Sequence, residues 1–228
     1  MTGTGFVVHP RPRASSASDA RYEYRVWVGL AHPVVSQLQR RWPLVAAERR
    51  SDIYLLGPRP DRVLVKLRDG RRLEIKKRMR DVGAVQRWTM PLSAGFPLAA
   101  GPRAALAQAL GQRGGLAPET GLSPAHLLAA FATERTGVVS HTVRKSRLLF
   151  ERGGCRAEIC RIAVSGRTGL SVALEAAALP PIARAIDDLG LGTHPNRSYG
   201  DMLGWLAGLR RARPAVLNNL QTHERRHP

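Results

Sequence analysis

The sequence predicts an α+β fold in which about eight antiparallel strands close, or nearly close, into a β-barrel with helices packed outside it. Three observations lead to this prediction. Residues 63–87 alternate apolar and cationic side chains with the period of a strand, and Asp69-Gly70 supplies a hairpin turn. The same polarity returns in later strand-like segments. The segments between them have the apolar spacing of amphipathic helices.

The first half of the chain is predicted to hold five strands and one helix. Residues 1–19 are rich in Pro, Ser, Gly and Arg and read as a flexible leader, after which RYEYRVWV alternates from Arg21. Residues 32–42 suit a short helix with Pro33 in its first turn. The other strands are SDIYLL from Ser51, the two hairpin arms in 63–78, and QRWTMPL at 86–92, which sets Arg87 and Thr89 opposite Trp88 and Met90.

The second half is predicted to hold helices and three further strands. A helical run covers 103–110, and Ser123-Pro124 opens a second helix that extends to about residue 134. Strand patterns follow in VVSHTVRKSRLLF, CRAEICRI and LSVALEA, and helical patterns in PPIARAIDDLGLG and in RSYGDMLGWLAGLRR with Ser198 as N-cap. We therefore expect one domain over 20–212, with a leader over 1–19 and a basic tail over 213–228.

The charge of the chain indicates an anionic partner. The formal net charge is +19 and the sequence pI is near 11.5, which exceeds what solubility requires. Phosphate chains, nucleic acid and a membrane surface would all suit this charge. The four lysines all fall in predicted strands: Lys66, Lys76, Lys77 and Lys145.

One face of the predicted sheet collects most of the strand charges. It holds ten bases, namely Arg21, Arg25, Lys66, Arg68, Lys76, Arg78, Arg87, Lys145, Arg147 and Arg156, beside four acids, Glu23, Glu74, Glu158 and Glu175. On the opposite face of these segments we count Lys77 and Arg144. An open sheet could present such a face to water. In a closed barrel the same cations would face one another across a confined space, and they would then require an anion.

The cysteines and the hydropathy pattern indicate an intracellular protein. Cys155 and Cys160 have neither a metal-site spacing nor a disulfide framework, which suggests a reducing cytoplasm. The N-terminus lacks a continuous apolar segment, and no window approaches the length of a membrane span. We expect a cytoplasmic protein of unknown oligomeric state.

Several motifs resemble those of the triphosphate tunnel superfamily, which includes CYTH domains and the polyphosphate-polymerase VTC domains. RYEYR, SDIY, VKLR, LEIKKR, VRKSR, SVALEA and RSYGDML occur in the order of the family's motifs over about residues 20–205. CYTH phosphatases carry a Glu-x-Glu-x-Lys pattern where this chain has Arg21, Glu23 and Arg25. The acidic pair of their last strand corresponds to Ala173 and Glu175. RYEYR and LEIKKR are more similar to the VTC pattern, which implies an Arg/Lys-lined tunnel with few carboxylates.

The resemblance implies a site for a phosphate chain and a divalent metal. It implies Glu23 and Glu175 as ligands of Mg²⁺ or Mn²⁺, with Glu74 or Glu158 as a third ligand or as a partner of a neighbouring arginine, and it implies Glu175 and Lys76 as catalytic residues. Tyr199 matches the SY of the family's closing helix, although a lone aromatic there is more often a core residue. The substrate-binding set is Arg21, Arg25, Lys66, Arg68, Lys76, Arg78, Arg87, Lys145, Arg147, Arg156 and Tyr199.

Two classes of function follow. The first is a tunnel that binds, and in the enzymatic version synthesises or cleaves, linear polyphosphate or a triphosphate; the loss of carboxylates also allows a binding-only tunnel. The second is a nucleic-acid-binding module that uses the basic end of the last helix, around Arg210, Arg211 and Arg213. An aromatic content of 5% argues against base stacking in this second class.

Overall fold

A computed structural model of the protein describes residues 20–112, 122–132 and 136–208, together with the backbone of 221–222. The predicted leader over 1–19 and most of the predicted tail lie outside the described residues, as do Arg210, Arg211 and Arg213. The division into leader, domain and tail therefore stays a prediction.

The strands form one antiparallel sheet that closes on itself. Its order is β1-β5-β4-β3-β2-β6-β7-β8, and β8 pairs back onto β1, which confirms the predicted eight-stranded barrel. A two-residue strand, β9, adds to the end of β8. The strands are β1 Arg21–Val28, β2 Leu44–Leu56, β3 Val63–Arg68, β4 Arg72–Arg78, β5 Gln86–Gly95, β6 Val139–Arg152, β7 Cys155–Val164, β8 Arg167–Ala176 and β9 Gln221–Thr222.

Five helices are described, and a capping side chain or an early proline marks the start of four of them, α2 being the exception. Ser123 and Ser198 accept hydrogen bonds from backbone N–H groups of the first turns of α3 and α5, and proline occupies an early position in α1, α3 and α4. None of the described helices is long and apolar enough to cross a membrane. The helices are α1 Pro33–Arg41, α2 Ala100–Ala109, α3 Pro124–Phe131, α4 Leu179–Asp188 and α5 Tyr199–Leu206.

Four of the helices cover the outside of the barrel, as the sequence predicted. Helices α1 and α4 pack on the outward apolar residues of β1, β7 and β8, for example Tyr24, Val172 and Leu174. Helices α2 and α3 pack on the outward residues of β2, β3 and β4, for example Leu55 and Leu73. The apolar side chains of the strands therefore face outward, and the alternate, polar residues face the lumen.

Helix α5 closes one end of the barrel. Its residues Tyr199, Met202 and Leu203 pack with lumen-facing residues of six strands, such as Trp27 and Tyr54. A capping box fixes the start of the helix, because the Ser198 and Asp201 side chains accept hydrogen bonds from each other's backbone N–H groups. The lumen is therefore a cup with a closed floor rather than an open tunnel.

The segment after α4 completes the wall of the barrel beside β1. Strand β1 pairs with β5 at residues 21–23, and further along it bonds to residues 196–197. The Arg25 N–H donates to Asn196 Oδ1 at 2.9 Å, and the Asn196 amide donates to the carbonyls of Glu23 and Ala84. This bonding leads the chain from α4 on the outside to α5 at the closed end.

A β-bulge in β5 reverses part of the predicted register. Ile75 pairs with Leu92 and Lys77 with Thr89, so two residues of β5, Met90 and Pro91, oppose the single residue at position 76. The bulge turns Trp88 into the lumen and Arg87 outward. The prediction that Arg87 faces inward is therefore wrong: its guanidinium lies over the outward ring of Tyr22, 5.9 Å from the centroid.

Strand β2 begins seven residues before the predicted start at Ser51. Residues 44–56 pair with β6 over their whole length, with one irregularity between Leu44 and Ala46. Glu48, Arg50, Asp52 and Tyr54 alternate along this strand and share the lumen face. The longer strand adds charged residues to the lumen that the sequence interpretation missed.

Candidate anion-binding cup

The polar half of the lumen brings together six of the predicted bases. Arg25 comes from β1, Lys66 and Arg68 from β3, Lys76 from β4, and Lys145 and Arg147 from β6. Each is half-buried or buried, since the barrel wall surrounds it. We call this space the cup; its described lumen-facing ionisable residues are Glu23, Arg25, Glu48, Arg50, Asp52, Lys66, Arg68, Glu74, Lys76, Lys145, Arg147, Glu158 and Glu175.

Glu158 of β7 lies at the centre of the cup between two arginines. Arg25 Nη1 is 3.1 Å from Glu158 Oε1, and Arg147 Nε donates to Glu158 Oε2 at 2.7 Å. Burial would raise the pKa of the Glu158 carboxyl, but Arg25 and Arg147 outweigh burial and hold that pKa well below its usual range. Glu158 therefore stays ionised and fixes both guanidinium groups in place.

Lys145 is buried deeper, against the wall formed by β2. Its Nζ donates to Asp52 Oδ2 and to the Tyr54 hydroxyl, each at 2.7 Å. Burial lowers the pKa of the Lys145 ammonium to about 7, Lys66 and Arg50 add to this effect, and Asp52 opposes it. Lys145 is therefore a cation whose charge in the empty cup changes near neutral pH.

Lys66 and Arg68 share the carboxylate of Glu74. Lys66 Nζ is 3.0 Å and Arg68 Nε 3.1 Å from its oxygens. Burial lowers the pKa of Lys66, while Glu74 opposes that shift. The buried Nε groups of Arg50 and Arg68 lie at ion-pair distance from a carboxylate, yet neither has a hydrogen-bond partner among the described residues.

The two predicted metal ligands are direct neighbours. Glu23 and Glu175 are paired residues on β1 and β8 and share the lumen face, so their side chains start roughly 5 Å apart. Lys76 bonds to Glu23. Burial would lower the pKa of Lys76, but Glu23 and Glu175 together raise it. Within the described ranges, no ion pair shorter than 4 Å involves Glu175, and no group of three His, Cys, Asp or Glu converges.

Aromatic rings form the floor beneath these charges, and we call Trp27, Tyr54, Trp88 and Tyr199 the aromatic floor. Tyr199 stacks on Tyr54 with ring centroids 5.5 Å apart, and Trp27 meets Tyr199 edge-on at 5.3 Å. Lys145 Nζ lies 4.1 Å above the Tyr199 ring centroid and the Arg25 guanidinium 4.6 Å above it. Tyr199 is thus both a core residue of the closed end and a surface under the cations.

The remaining predicted bases lie elsewhere. Arg78 is near the closed end, where its Nε donates to Asp81 Oδ1 at 2.9 Å. Arg156 is exposed at the open rim and pairs with Glu151, and Arg21 begins β1 at the same rim. Together with Arg87 on the outside, these residues are separate from the bases of the cup.

Acids nearly balance the bases in the cup, which differs from the expected ten bases beside four acids. β2 contributes Glu48 and Asp52 as well as Arg50, and Arg87 lies outside. Arg147 Nη1 is 2.7 Å from Glu48 Oε2, and Arg50 Nε is 3.3 Å from Asp52 Oδ2. The bases therefore have carboxylate partners, and the repulsion expected of an empty barrel is largely relieved.

β2 also shows which signal could have found the missed residues. Glu48, Arg50, Asp52 and Tyr54 alternate with Ala47, Arg49, Ser51 and Ile53, a period of two that extends the predicted strand toward the N-terminus. Trp27 gave no such signal, because it faces the lumen as a large apolar residue on a strand whose other lumen residues are charged.

An anion held beside Lys145 should bind about tenfold more weakly as the pH rises through about 7, and tripolyphosphate is a suitable probe. Loss of the Lys145 proton removes one cation, and an anion bound nearby would favour keeping that proton. Calorimetric titrations between mildly acidic and mildly alkaline pH measure this. Lys145→Arg stays charged and should flatten the profile. The titration of the ligand itself affects the native chain and this variant equally. Identical profiles of affinity against pH for the two would therefore contradict a change in the charge of Lys145 near neutral pH.

One comparison with a solved structure supports the fold, and two further structures are similar to a lesser degree. No family model and no curated protein matches the sequence. A solved structure from Pyrococcus horikoshii is similar with a TM-score of 0.50 and 15% identity, covering 79% of this chain and 98% of that one. A conserved hypothetical protein of Pyrococcus furiosus has a TM-score of 0.49 and 18% sequence identity, covering 79% of this chain and 98% of that one. A Hippeastrum adenylyl cyclase candidate, described with a dominant triphosphatase activity, has a TM-score of 0.48 and 10% sequence identity, covering 82% of this chain and 96% of that one.

Proposed function

We propose that the cup binds the terminal phosphates of a triphosphate or of linear polyphosphate, and that a divalent metal serves the making or breaking of the phosphoanhydride bond. The observation that carries the proposal is the convergence of seven bases from β1, β2, β3, β4 and β6 on one enclosed lumen. The motif order described above supports the same substrate class. The greater similarity to polyphosphate polymerases rests on RYEYR and LEIKKR alone.

The donors of the cup suit phosphate oxygens. Phosphoryl groups carry charge on several oxygens at once, and transfer between them is promoted mainly by positioned cations and hydrogen-bond donors. The Nε groups of Arg50 and Arg68 are buried and lack aligned acceptors among the described residues. The guanidinium of arginine also offers two parallel N–H donors in one plane. Such a pair can bind two oxygens of one phosphate group, which a monatomic anion does not offer.

A bound phosphate chain would pair with cations that, in the empty cup, pair with the carboxylates of the cup. Arg147 contacts both Glu158 and Glu48, and it could keep one partner while it turns toward a ligand. The carboxylates hold the side chains in place before binding, which lowers the entropy that binding must overcome. Part of the electrostatic gain is offset by the lost pairs, so we expect moderate rather than extreme affinity.

The closed floor favours the end of a chain over its middle. Helix α5 and the aromatic floor seal one end of the barrel, so a phosphate chain enters from the open rim. The arginines at that rim, Arg21 and Arg156, lie where phosphates further from the terminus would leave the cup. A triphosphate group and the end of a long polyphosphate would therefore occupy the same positions.

Glu23 and Glu175 fit a magnesium or manganese ion as a pair of neighbouring carboxylates. Two carboxylates suffice for Mg²⁺ when water and phosphate oxygens complete its shell. A bound divalent ion would neutralise charge on the bridging and terminal phosphate oxygens. Glu175 has no ion pair within 4 Å among the described residues, whereas Glu23 bonds to Lys76, so Glu175 is the stronger candidate ligand.

The other side chains of the cup bind and orient the phosphates. Lys66, Arg68, Lys145 and Arg147 bind and orient the phosphates, and Tyr199 supports Lys145 from below. Lys76 lies beside both acidic residues and could contact a phosphate next to the metal ligands. The same residues without turnover would form a binding module for phosphate chains, which is the alternative retained here.

Lys76→Ala should weaken tripolyphosphate binding by about tenfold or more. The side chain points into the cup, and its removal deletes a cation next to the acidic pair. Lys77→Ala is a matched control, because this neighbouring lysine is exposed on the outer face and its loss changes the net charge equally. Calorimetry at one salt concentration measures both variants, and equal losses in the two would contradict a site in the cup.

Competition binding tests the substrate class. Labelled polyphosphate should be displaced by tripolyphosphate, because both would place terminal phosphates in the cup, whereas duplex DNA is too wide to enter the lumen. Affinity should also decrease with salt as neutralised phosphates release counterions. Displacement of the polyphosphate by duplex DNA but not by tripolyphosphate would replace the proposal with a nucleic-acid-binding function.

A further inference from the structure

The outer side of β2, β6 and β7 carries a second concentration of cations, remote from the lumen. Arg49, Arg144 and Arg161 point outward from these three strands and are exposed. We call the surface formed by Ser51, Ser146, Thr168 and these arginines the outer arginine face.

The register of the strands orders these side chains. Ser146 lies between Arg49 and Arg161 in one row, since it pairs with both. Arg144 lies in the next row, between Ser51 and Ala163. From standard strand spacing, the arginines are about 8 to 10 Å apart, with small side chains between them.

The surface is shallowly concave there. One depression of about 620 Å³ and another of about 500 Å³ share Arg144, Ala163 and Thr168 in their linings. Neither lining contains Phe, Trp or Tyr. A narrow, flexible chain could therefore lie across the strands, with its charges against the arginines and without stacked rings.

The charges of this face differ from those of the cup. Arg49, Arg144 and Arg161 have no carboxylate within 4 Å among the described residues, whereas the cup cations share carboxylates. The nearby acid is Asp69, whose carboxylate accepts a hydrogen bond from the Ser51 N–H. The outer arginine face thus retains donors and positive charge for an external partner.

We propose that the outer arginine face binds the sugar-phosphate backbone of single-stranded nucleic acid. Successive phosphates of such a strand are separated by a sugar, which suits arginines set well apart. Phosphates in an anhydride chain share an oxygen and lie much closer together. The lack of aromatic rings indicates binding without base recognition. This surface and its partner are independent of the function proposed for the cup.

Replacing the three arginines tests this proposal. The variant Arg49→Gln/Arg144→Gln/Arg161→Gln is compared with Arg40→Gln/Arg80→Gln/Arg184→Gln, which removes three exposed arginines elsewhere and changes the net charge equally. The probe is a fluorescein-labelled oligodeoxythymidine, followed by anisotropy over a salt series. We expect the first variant to bind at least about tenfold more weakly and its log–log salt slope to be less negative by about 2. The control should keep most of the affinity.

A second variant keeps all the arginines. Ser146→Glu places a carboxylate between Arg49 and Arg161, and it should weaken the binding of the oligonucleotide by a similar factor. Thermal unfolding confirms that each variant is folded, and tripolyphosphate binding should be unchanged in all of them.

Three results would overturn the proposal. The first is an equal loss of oligonucleotide affinity in the control triple variant, which would mean that the effect depends on net charge alone. The second is unchanged oligonucleotide binding in the arginine variant or in Ser146→Glu. The third is an equal loss of long-chain polyphosphate binding, which would mean that the face accepts phosphate chains in general.

Discussion

Glu175→Gln should reduce metal-dependent turnover of tripolyphosphate to below about one hundredth of the native rate while binding persists. The side chain is a half-buried carboxylate on β8, beside Glu23 on β1. Glutamine keeps its size and lacks the charge that a divalent ion requires. Without Glu175, only Glu23 remains of the acidic pair, and Lys76 bonds to it.

Binding should survive because the proposal assigns the phosphate contacts to cations. These cations come mainly from β3 and β6, and deleting a carboxylate leaves the cup more positive. The affinity of Glu175→Gln for tripolyphosphate should therefore equal or exceed the native affinity. Turnover and binding thus move in different directions, which separates a metal ligand from a residue needed for folding.

Phosphate release and chain synthesis with magnesium or manganese provide the measurement. Glu151→Gln is the matched control, because this exposed carboxylate pairs with Arg156 at the rim, and its loss should leave the rate nearly unchanged. Turnover that continues in Glu175→Gln or in excess chelator refutes the assignment. A native chain that binds polyphosphate tightly and turns over nothing would be a binding module.

The sequence was sufficient to predict the barrel because the alternation of apolar and polar residues in most strands agrees with their burial. Val65, Leu67 and Ile75 alternate with charged residues and pack under α2 and α3. Asp69 and Gly70 are the central residues of the β-turn that the Arg71 N–H closes onto the Arg68 carbonyl, and both have the positive φ values, 49° and 63°, that favour Asp and Gly there. Ser198 caps α5 as predicted. Local pattern and tertiary packing favour the same structure at these positions.

The sequence misled where a strand changes its alternation. Extending one alternation through 86–92 placed Arg87 inward, whereas the bulge at Met90 and Pro91 moved Trp88 there. Pro91 within a strand was the available sign of a bulge. The pairing of Lys145 with Asp52 could not be predicted in this way, because it depends on which strands are neighbours in the closed barrel.

The role of α5 as the closure of the barrel was also absent from the sequence interpretation. The spacing of its apolar residues shows only that it has a buried side. Its position depends on the segment at 194–197, which bonds along β1 and directs the chain to the end of the lumen. The effect of a substitution in α5 therefore depends on tertiary structure that local patterns do not contain.

Gly200→Ala should destabilise the protein by about 3 kcal/mol, because α5 has no room for a methyl group at this position. A Cβ on Gly200 would lie 1.7 Å from the Pro60 carbonyl oxygen and 2.6 Å from its carbon. Both atoms belong to the backbone of the turn before β3, so a side-chain rotation cannot relieve the overlap. The start of α5 must instead move away from that turn.

That movement would also disturb the cup, because Tyr199 precedes Gly200 and supports Lys145 and Arg25 from below. Tripolyphosphate affinity should therefore fall in Gly200→Ala although no charge has changed. Urea unfolding and calorimetry measure the two effects. Gly101→Ala in α2 is the control: a Cβ there meets nothing within 4 Å, so it should leave stability unchanged or raise it by about 0.5 kcal/mol. Equal stability of the two variants would contradict the close packing of α5 against the wall that seals the barrel.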